Sequence, residues 1–466
     1  MDLLRIRGSV PLAGTVAASG AKNAALPILA ASILASEPVT LAHVPHVADV
    51  DTLSLLLGYL GVEVKRRPDD RLQIATVAPQ RIFADYELVQ QMRASFCVLG
   101  PLLARRGRAV VPLPGGCQIG ERPIDLHLHG LAALGADLRI QQGHVVGRAT
   151  QLRGTRIHMA GPHGSTVTGT ANVLCAATLA RGRTIITGAA TEPEIVDLGN
   201  FLNQLGGRIE GLGTSTLEIL GVERLAGASY SIIPDRIETA TLLVAAAITG
   251  GSVQVTGVAP EHLAAVLAEL DRAGMAIETE TDTVRVASTG RVRPIELAAL
   301  PYPGVPTDVQ AQFMTLACVA SGRSTIRDCV FPERFRHVDQ LRRFGAQIDQ
   351  SGDRAVVEGV TRLRGANVTA CDLRASAALV LAGLAAEGET IVRRIYHLDR
   401  GYQRLEEKLA QLGARIERTS EEAVARRLPS PGREPRDGQS SPIQGIPGLA
   451  PEVQGRDFES NYVDPR

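Results

Sequence analysis

The sequence predicts an α/β protein built from six copies of a unit of about 70 residues, with apolar helices inside and strands outside. Two observations carry this expectation. One phrase recurs along the chain: a helical pattern, then Leu or Phe, Gly, a small residue, a polar residue and Ile, Val or Leu. It falls around Gly61, Gly135, Gly206, Gly274, Gly345 and Gly413, at spacings of 74, 71, 68, 71 and 68 residues. Such spacings are too regular for chance glycines and too long for a solenoid repeat. The second observation is that every copy keeps the same internal order.

Each unit starts with an Ala/Leu-rich helix such as NAALPILAASILA, apolar nearly all round and therefore expected to be buried. A small-residue turn and a β-rich stretch follow, seen in PVTLAHV, RTIITGA, GSVQVTGV, RSTIRDCV and ETIVRRI. A second helix, as in HLAAVLAELDRAG, has apolar residues at helical spacing and a charged face, so it is expected at the surface. It ends at the repeat glycine, and another strand begins. Buried helices within and strands without invert the usual barrel.

At 466 residues and 45% hydrophobic content the chain is large enough for two or three domains. Lys plus Arg and Asp plus Glu both number 49, so no global basic field is available for nucleic acid or an anionic membrane. Any anion has to be held by a local cluster. Aromatic residues make up 3% and Trp is absent, which removes base-stacking platforms. Of six cysteines, Cys97, Cys175, Cys318 and Cys371 lie in or beside apolar stretches without metal-ligand spacing, as reduced thiols of a cytosolic protein do. The start, MDLLRIRGSVPLAG, has no charged leader and apolar run of the secretory kind. The apolar run Ala24–Leu34 is shorter than the roughly 20 residues of a membrane span and contains Pro27, so a soluble protein is expected. From about Glu421 the composition turns to Pro, Gly, Ser and charge without periodicity, which predicts a disordered tail.

Unusual chemistry gathers at the entrance to the buried helix of each unit. The segments are SGAKN, QQMRAS, GSTVTGT, PDRIET, PTDVQ and CDLRAS. Helix N-termini present unpaired N–H groups and a positive dipole end, so several converging entrances with Lys22, Arg93 and Arg374 would trap an anion. Ordinary N-capping accounts for Ser, Thr and Asp at such places. It does not account for Lys and Arg, which the dipole disfavours.

The phrases SGAKNAALPILAA, MRAS, PGGCQIGERPIDLH, EPEIVD, PDRIET, PTDVQAQF, DLRASAALVLAG and IYHLDRGY occur in this order. Together they resemble the UDP-N-acetylglucosamine 1-carboxyvinyltransferase family, over nearly the whole chain to about residue 418, and the cysteine-loop phrase is highly specific. The resemblance implies two inside-out α/β domains of three units each. One comprises residues 1–19 and 231–418, the other residues 20–230 with the cysteine loop; residues 419–466 form the tail. It also implies the reaction: the enolpyruvyl group of phosphoenolpyruvate passes to the 3-hydroxyl of UDP-N-acetylglucosamine, with release of phosphate. This addition and elimination opens peptidoglycan precursor synthesis in the cytoplasm. No metal cluster or dinucleotide fingerprint is present, so the chemistry is expected to need no cofactor. A monomer is the simplest expectation.

The resemblance assigns residues as follows. Lys22, Arg122 and Arg400 match positions that hold the phosphate of phosphoenolpyruvate, while Arg334 and Arg374 match the group facing its carboxylate. A planar guanidinium suits both because it bonds two oxygens at once. Asn23 matches a residue that steadies the intermediate, and Cys117, in the glycine-flanked PGGCQIG, matches the proton donor and covalent adduct site. That thiol predicts sensitivity to the phosphonate epoxide fosfomycin. Asp308 matches the residue against the attacking hydroxyl, as general base or orienting acceptor. Asp372 and Glu192 match inward-facing acidic positions that relay protons, order arginines or form structural ion pairs. The nucleotide is expected along Arg122, Pro123, Ile124, Asp125 and Leu126, with Arg93 and Gly164, Ser165, Thr166 and Val167 near the diphosphate. Val330 and Asp308 match positions touching the sugar. One departure is HGSTVTGTAN, where relatives have a shorter serine-glycine phrase.

Two alternatives compete. The sister enzyme that uses shikimate 3-phosphate shares the fold class, but the cysteine loop and the PDRIET and DLRAS phrases resemble the nucleotide-sugar enzyme. A regulatory paralogue that binds the nucleotide sugar without turning it over is the other, and Lys22, Cys117, Asp308 and Arg400 argue against lost catalysis.

Overall fold

A computed structural model describes residues 2–115, 123–162 and 164–425. Cys117, Arg122 and the tail from residue 426 lie outside the described residues.

Two sorts of helix alternate along the chain: α1 (Lys22–Ala31), α2 (Ala48–Tyr59), α3 (Leu99–Arg106), α4 (Asp125–Ala133), α5 (Val167–Thr178), α6 (Pro193–Gln204), α7 (Arg236–Thr249), α8 (Ala264–Arg272), α9 (Gln310–Ala317), α10 (Val338–Arg342), α11 (Leu373–Ala385) and α12 (Leu405–Gln411). The odd-numbered helices are the Ala-, Leu- and Thr-rich ones and pack inside. Every residue from Arg236 to Ile248 of α7 and from Leu373 to Leu384 of α11 is buried. Of the even-numbered helices, α2 buries one stripe, Asp49, Val50, Leu53, Leu56 and Leu57, and leaves the opposite face in solvent, whereas α6 is mostly buried. Small side chains let the inner helices approach closely. A Cβ at Gly100 in α3 would come within 2.1 Å of the carbonyl oxygen of Asn172 in α5, so only glycine fits.

The six repeat glycines all take φ between +74° and +103°, the left-handed conformation that ends a helix at the residue after its cap. Each is followed by a strand or extended segment, so the order helix, strand, helix, glycine, strand recurs down the chain.

Sheet pairing ties the two ends of the chain together. Asp2–Arg7 lies antiparallel between Glu389–Arg393 and Arg415–Ser420, with Leu4 opposite both Val392 and Arg418. Ala13–Ala17 runs parallel to Ser252–Thr256, with Val16 opposite Val255. Ser229–Ser231 returns the other way and pairs in parallel with Val39–Ala42. The buried apolar residues accordingly form two clusters: one from Ala21 to Ile232, the other from Leu4 to Ala18 together with Ile237 to Leu412. The tail was expected to begin at residue 419; instead Thr419 and Ser420 continue the last strand, paired with Leu3 and Asp2, and Glu421–Ala425 is a short helix. Backbone pairing overrides the polar composition there.

The chain crosses between the clusters twice, and the crossings run side by side. Gly20 pairs with Pro234, the Ala21 N–H donates to the Ile233 carbonyl at 2.7 Å, and the Asp235 N–H donates to the Ser19 carbonyl at 2.8 Å. A buried carboxylate locks each strand. Glu238 accepts from the Ser19 N–H at 2.7 Å and from Lys408 Nζ at 2.8 Å. Asp197 accepts from the Tyr230 hydroxyl at 2.6 Å and the Ile233 N–H at 3.4 Å.

Cys97, Cys175 and Cys318 are buried free thiols, and Cys371 is half-buried. No helix among the described residues is long and apolar enough to cross a membrane.

Burial pushes the Asp197 carboxyl up to about 6, against the Tyr230 and Ile233 donors that favour its charged form. Because this lies above the ~3.9 of an unfolded Asp, the folded protein keeps the proton longer. The stability contribution of Asp197 therefore falls as pH rises from about 4 through about 6. Urea unfolding at pH 4 and pH 7 should show the stability difference between wild type and Asp197→Asn shrinking by roughly 3 kcal/mol at most. A difference that does not change with pH would refute this account of Asp197.

Candidate active site

Two carboxylates collect the cations that the sequence places at helix entrances. Asp308 sits in a 3₁₀ turn, Thr307–Val309, directly ahead of α9. Its Oδ1 accepts from Arg334 Nη1 at 2.9 Å, and its Oδ2 accepts from Arg374 Nη2 at 2.8 Å, Arg374 Nε at 3.1 Å and Asn23 Nδ2 at 3.3 Å. Burial raises the carboxyl of Asp308, but Arg374, Arg334 and Lys22 outweigh it and hold it well below the usual range. Arg374 is buried; Asp308 and Asp235 keep it charged against the opposing effect of burial. It lies over the Tyr402 ring at 5.2 Å, and its buried Nη1 has no hydrogen-bond partner among the described residues. An unsatisfied guanidinium nitrogen beside an anion is suited to a second anion.

The other carboxylate is Asp49, buried in the first turn of α2, where the dipole favours it. It accepts from Lys22 Nζ at 3.1 Å and from Arg400 Nε at 2.8 Å. Lys22 and Asn23 are consecutive in α1, so one helix entrance serves both centres. Lys22, Asn23 and Asp49 belong to the stretch carrying the first core cluster; Asp308, Arg334, Arg374 and Arg400 come from the second. The site is assembled from both.

Hydrogen bonds around Asp308 fix the neighbouring loop. The Thr307 hydroxyl donates to Asp328 at 2.6 Å and accepts from Arg334 Nη1 at 3.0 Å, while Asp328 accepts the Val330 and Phe331 N–H groups at 3.0 and 2.8 Å. Val330 is thereby tied to the Asp308 turn. Asp372 caps α11 through the Arg374 and Ala375 N–H groups at 2.9 and 3.0 Å. Burial alone would raise its carboxyl, but the Ala375 N–H, Arg334 and His337 lower it.

The segments expected near a nucleotide also meet. Ile124 stands at the N-terminus of α4, with Asp125 in its first turn and Leu126 next, and the Pro123 carbonyl accepts from Arg93 Nη2 at 3.0 Å. Gly164 and Ser165 pair with Gly161 and Ala160 in a tight hairpin. Thr166 caps α5 by accepting the Gly169 N–H at 3.2 Å, and Val167 begins the helix, partly exposed. His127 joins the two segments, its Nε2 3.2 Å from the Thr168 hydroxyl and its Nδ1 2.9 Å from Asn172 Nδ2. Glu192 is buried, burial raises its carboxyl, and its Oε2 has no hydrogen-bond partner among the described residues. Two residues on, Glu194 makes a two-pronged pair with Arg236 at 2.9 and 3.1 Å, and both side chains are buried.

A profile described as EPSP synthase (3-phosphoshikimate 1-carboxyvinyltransferase) matches residues 6–409. The crystal structure of the enolpyruvyl transferase NikO from Streptomyces tendae superimposes with a TM-score of 0.80 at 27% identity, covering 90% of this chain and 99% of that one. EPSP synthase from Acinetobacter baumannii shares the fold, with a TM-score of 0.69 at 17% identity over 90% of this chain and 100% of that one. UDP-N-acetylglucosamine 1-carboxyvinyltransferase of Halorhodospira halophila is 50% identical over 418 residues, 90% of this chain and 99% of the relative. Its counterpart from Coxiella burnetii is 51% identical over 429 residues, 92% and 98% of the two chains. This chain belongs to the UDP-N-acetylglucosamine 1-carboxyvinyltransferases, within the EPSP synthase family.

Within this member of the family, Lys22, Arg400, Arg334 and Arg374 share two carboxylates, so the centre is a half-neutralised trap rather than a bare one. Asp49 carries no sequence signal because an acidic residue in a helix's first turn is commonplace. Asp328 is a strand residue outside the motif phrases, whereas His127 closes the phrase PGGCQIGERPIDLH with nothing in its spacing to single it out. Capping explains Thr166, Asp235 and Asp372, each of which accepts backbone N–H groups. Asp49→Ala would leave Lys22 and Arg400 confronting each other with no carboxylate. Denaturant unfolding should register a loss of about 3 kcal/mol or more; a loss below about 1 kcal/mol would mean that the pair does not depend on Asp49.

Proposed function

We propose that this chain transfers the enolpyruvyl group of phosphoenolpyruvate to the 3-hydroxyl of UDP-N-acetylglucosamine with release of phosphate, the first committed step of peptidoglycan precursor synthesis. The observation that carries the reading is the double cation centre around Asp308 and Asp49. Phosphoenolpyruvate bears a carboxylate and a phosphate on one small skeleton, and two adjacent cation groups match two adjacent anions. Arg334 and Arg374 take the carboxylate, Lys22 and Arg400 the phosphate, with Arg122 contributed by the cysteine loop.

Asp308 faces the attacking hydroxyl as an ionised acceptor. Held below the usual carboxylate range it is a weak base, so its first task is to orient the hydroxyl. When Arg334 and Arg374 turn to the substrate carboxylate, Asp308 loses their field and its affinity for the hydroxyl proton rises. Substrate binding and base strength are then coupled through the same two guanidinium groups. Asn23 steadies the tetrahedral intermediate, and Cys117 supplies the proton to C3. Exclusion of water protects the reactive enol ether.

The nucleotide lies along Arg122 to Leu126, with Arg93 and Gly164 to Val167 at the diphosphate and Val330 at the sugar. Two inside-out α/β domains, residues 1–19 with 231–418 and residues 20–230, enclose these sites. The separate core clusters and the paired crossings at Ser19–Ala21 and Ile233–Asp235 support that division. The enzyme works as a cytoplasmic monomer. Shikimate 3-phosphate is the competing acceptor, and the relatives near 50% identity favour the nucleotide sugar.

Phosphate release from phosphoenolpyruvate by the purified full chain should depend on UDP-N-acetylglucosamine and not be supported by shikimate 3-phosphate. The reverse dependence would sink the assignment, and nucleotide binding with no release would replace it by a regulatory role. Asp308→Asn should lower kcat by about a hundredfold or more. Cys117→Asp should keep turnover while abolishing covalent inactivation by fosfomycin; unchanged inactivation would remove Cys117 from the covalent role.

A further inference from the structure

A cavity of about 510 Å³ lies at the far end of the helix that carries Lys22. It opens beside Ala35, just past the 3₁₀ turn Ser32–Leu34 that continues α1, so α1 and this turn, roughly 20 Å of chain, separate it from Lys22. Arg105, Arg106 and Arg108 line it, and among the described residues no Asp or Glu does. Among the described residues none of the three makes an ion pair. The nearest acidic residue in sequence to the Ser36 wall, Glu37, is already paired with Arg224, whose Nε also donates to the Ser36 hydroxyl at 3.0 Å.

Arg106 is anchored rather than free to swing away. Its Nη1 donates to the Leu60 carbonyl at 2.6 Å and to the Arg81 carbonyl, while its Nε and Nη2 are buried with no hydrogen-bond partner. Burial and the neighbouring Arg105 pull the guanidinium down to about 10, the mark of a cation lacking a counter-charge. A helix C-terminus attracts basic residues, which accounts for Arg105 and Arg106 in the last turn of α3. It does not account for Arg108, which follows on the strand Arg108–Pro112 and stands opposite Arg148 in the antiparallel pair. Like charges so placed cost stability. Three arginines around one cavity, one of them with a fixed unsatisfied fork, have the composition of an oxyanion site. Ala35, Pro79 and Ile82 add an apolar wall that a bare ion would not use.

We infer that this cavity is a second ligand site, for a phosphate-bearing small molecule, separate from the reaction centre. Titration calorimetry with inorganic pyrophosphate on the full-length protein tests it. The reaction centre has phosphate-binding groups of its own, so the readout is the number of sites lost in the variant. Arg105→Ala/Arg108→Ala should bind one equivalent fewer than wild type, or bind that equivalent at least about tenfold more weakly. Turnover should be unchanged, since neither residue belongs to the reaction centre. Thr76→Glu, which introduces a carboxylate into the cavity wall, should have the same effect and serves if the double variant fails to fold. A folded variant that binds as many equivalents as wild type with the same affinities would overturn the inference. The readout is binding, so it stands or falls independently of the transfer reaction.

Discussion

A guanidinium taken out of water loses several kcal/mol of hydration, and a carboxylate with well-aligned hydrogen bonds is what offsets the loss. Asp308 does this for Arg334 and Arg374 together, and Asp49 does it for Lys22 and Arg400. Without these carboxylates the inner helices could not begin with cations, because each entrance already carries the positive end of the helix dipole. The rest of the centre follows. Thr307 and Asp328 hold the Asp308 turn, Tyr402 backs Arg374, and Gln312 fills the remaining space by donating to the Tyr402 hydroxyl at 3.1 Å and the Asp308 carbonyl at 3.1 Å. Two carboxylates thus offset only half of the four cations, which leaves the centre with positive charge for an incoming anion.

The same arrangement explains why the chain crosses between its two cores beside Lys22. Ser19, Gly20 and Ala21 pair with Ile233, Pro234 and Asp235, and the residues that leave this ladder are Lys22 on one strand and Arg236 on the other. Asp235 binds the Lys22 N–H at 3.3 Å as well as the first amides of α7. Gly20 is required here, since a Cβ would fall 1.7 Å from the His43 carbonyl oxygen. Backbone geometry at the crossings thus sets where two inner helices begin.

Much of the fold was legible in the sequence because helix burial follows all-round apolarity, as α7 and α11 illustrate, and because a helix end that needs a positive φ selects glycine. The register that joins Asp2–Arg7 to the last strands was not legible, since pairing partners about 390 residues apart leave no local trace. At the site, Lys22, Asn23, Asp308, Arg334, Arg374 and Arg400 carried motif signals and do converge on two carboxylates. Asp49 and Asp328 carried none, and His127, though it closes PGGCQIGERPIDLH, had no assigned role there. Their roles arise from what folding brings opposite them, and a lone Asp in VADVD reads the same whether it caps a helix or holds two cations. The unequal end of the tail had a similar cause: Thr419 and Ser420 are polar but have backbone partners in Leu3 and Asp2.

That pairing of the two ends has a consequence for how the protein is made. Asp2–Arg7 leaves the ribosome well before both of its neighbours, Glu389–Arg393 and Arg415–Ser420, which follow more than 380 residues later in the sequence. At synthesis rates of about 5–20 residues per second, the N-terminal strand waits roughly 20 to 80 seconds for its partners. The stretch from Ala21 to Ile233, which supplies the apolar residues of its own core, is complete long before. Birth order and folding order are therefore opposed for this strand: Asp2–Arg7 is made before the Ala21–Ile233 stretch yet finds its sheet after it.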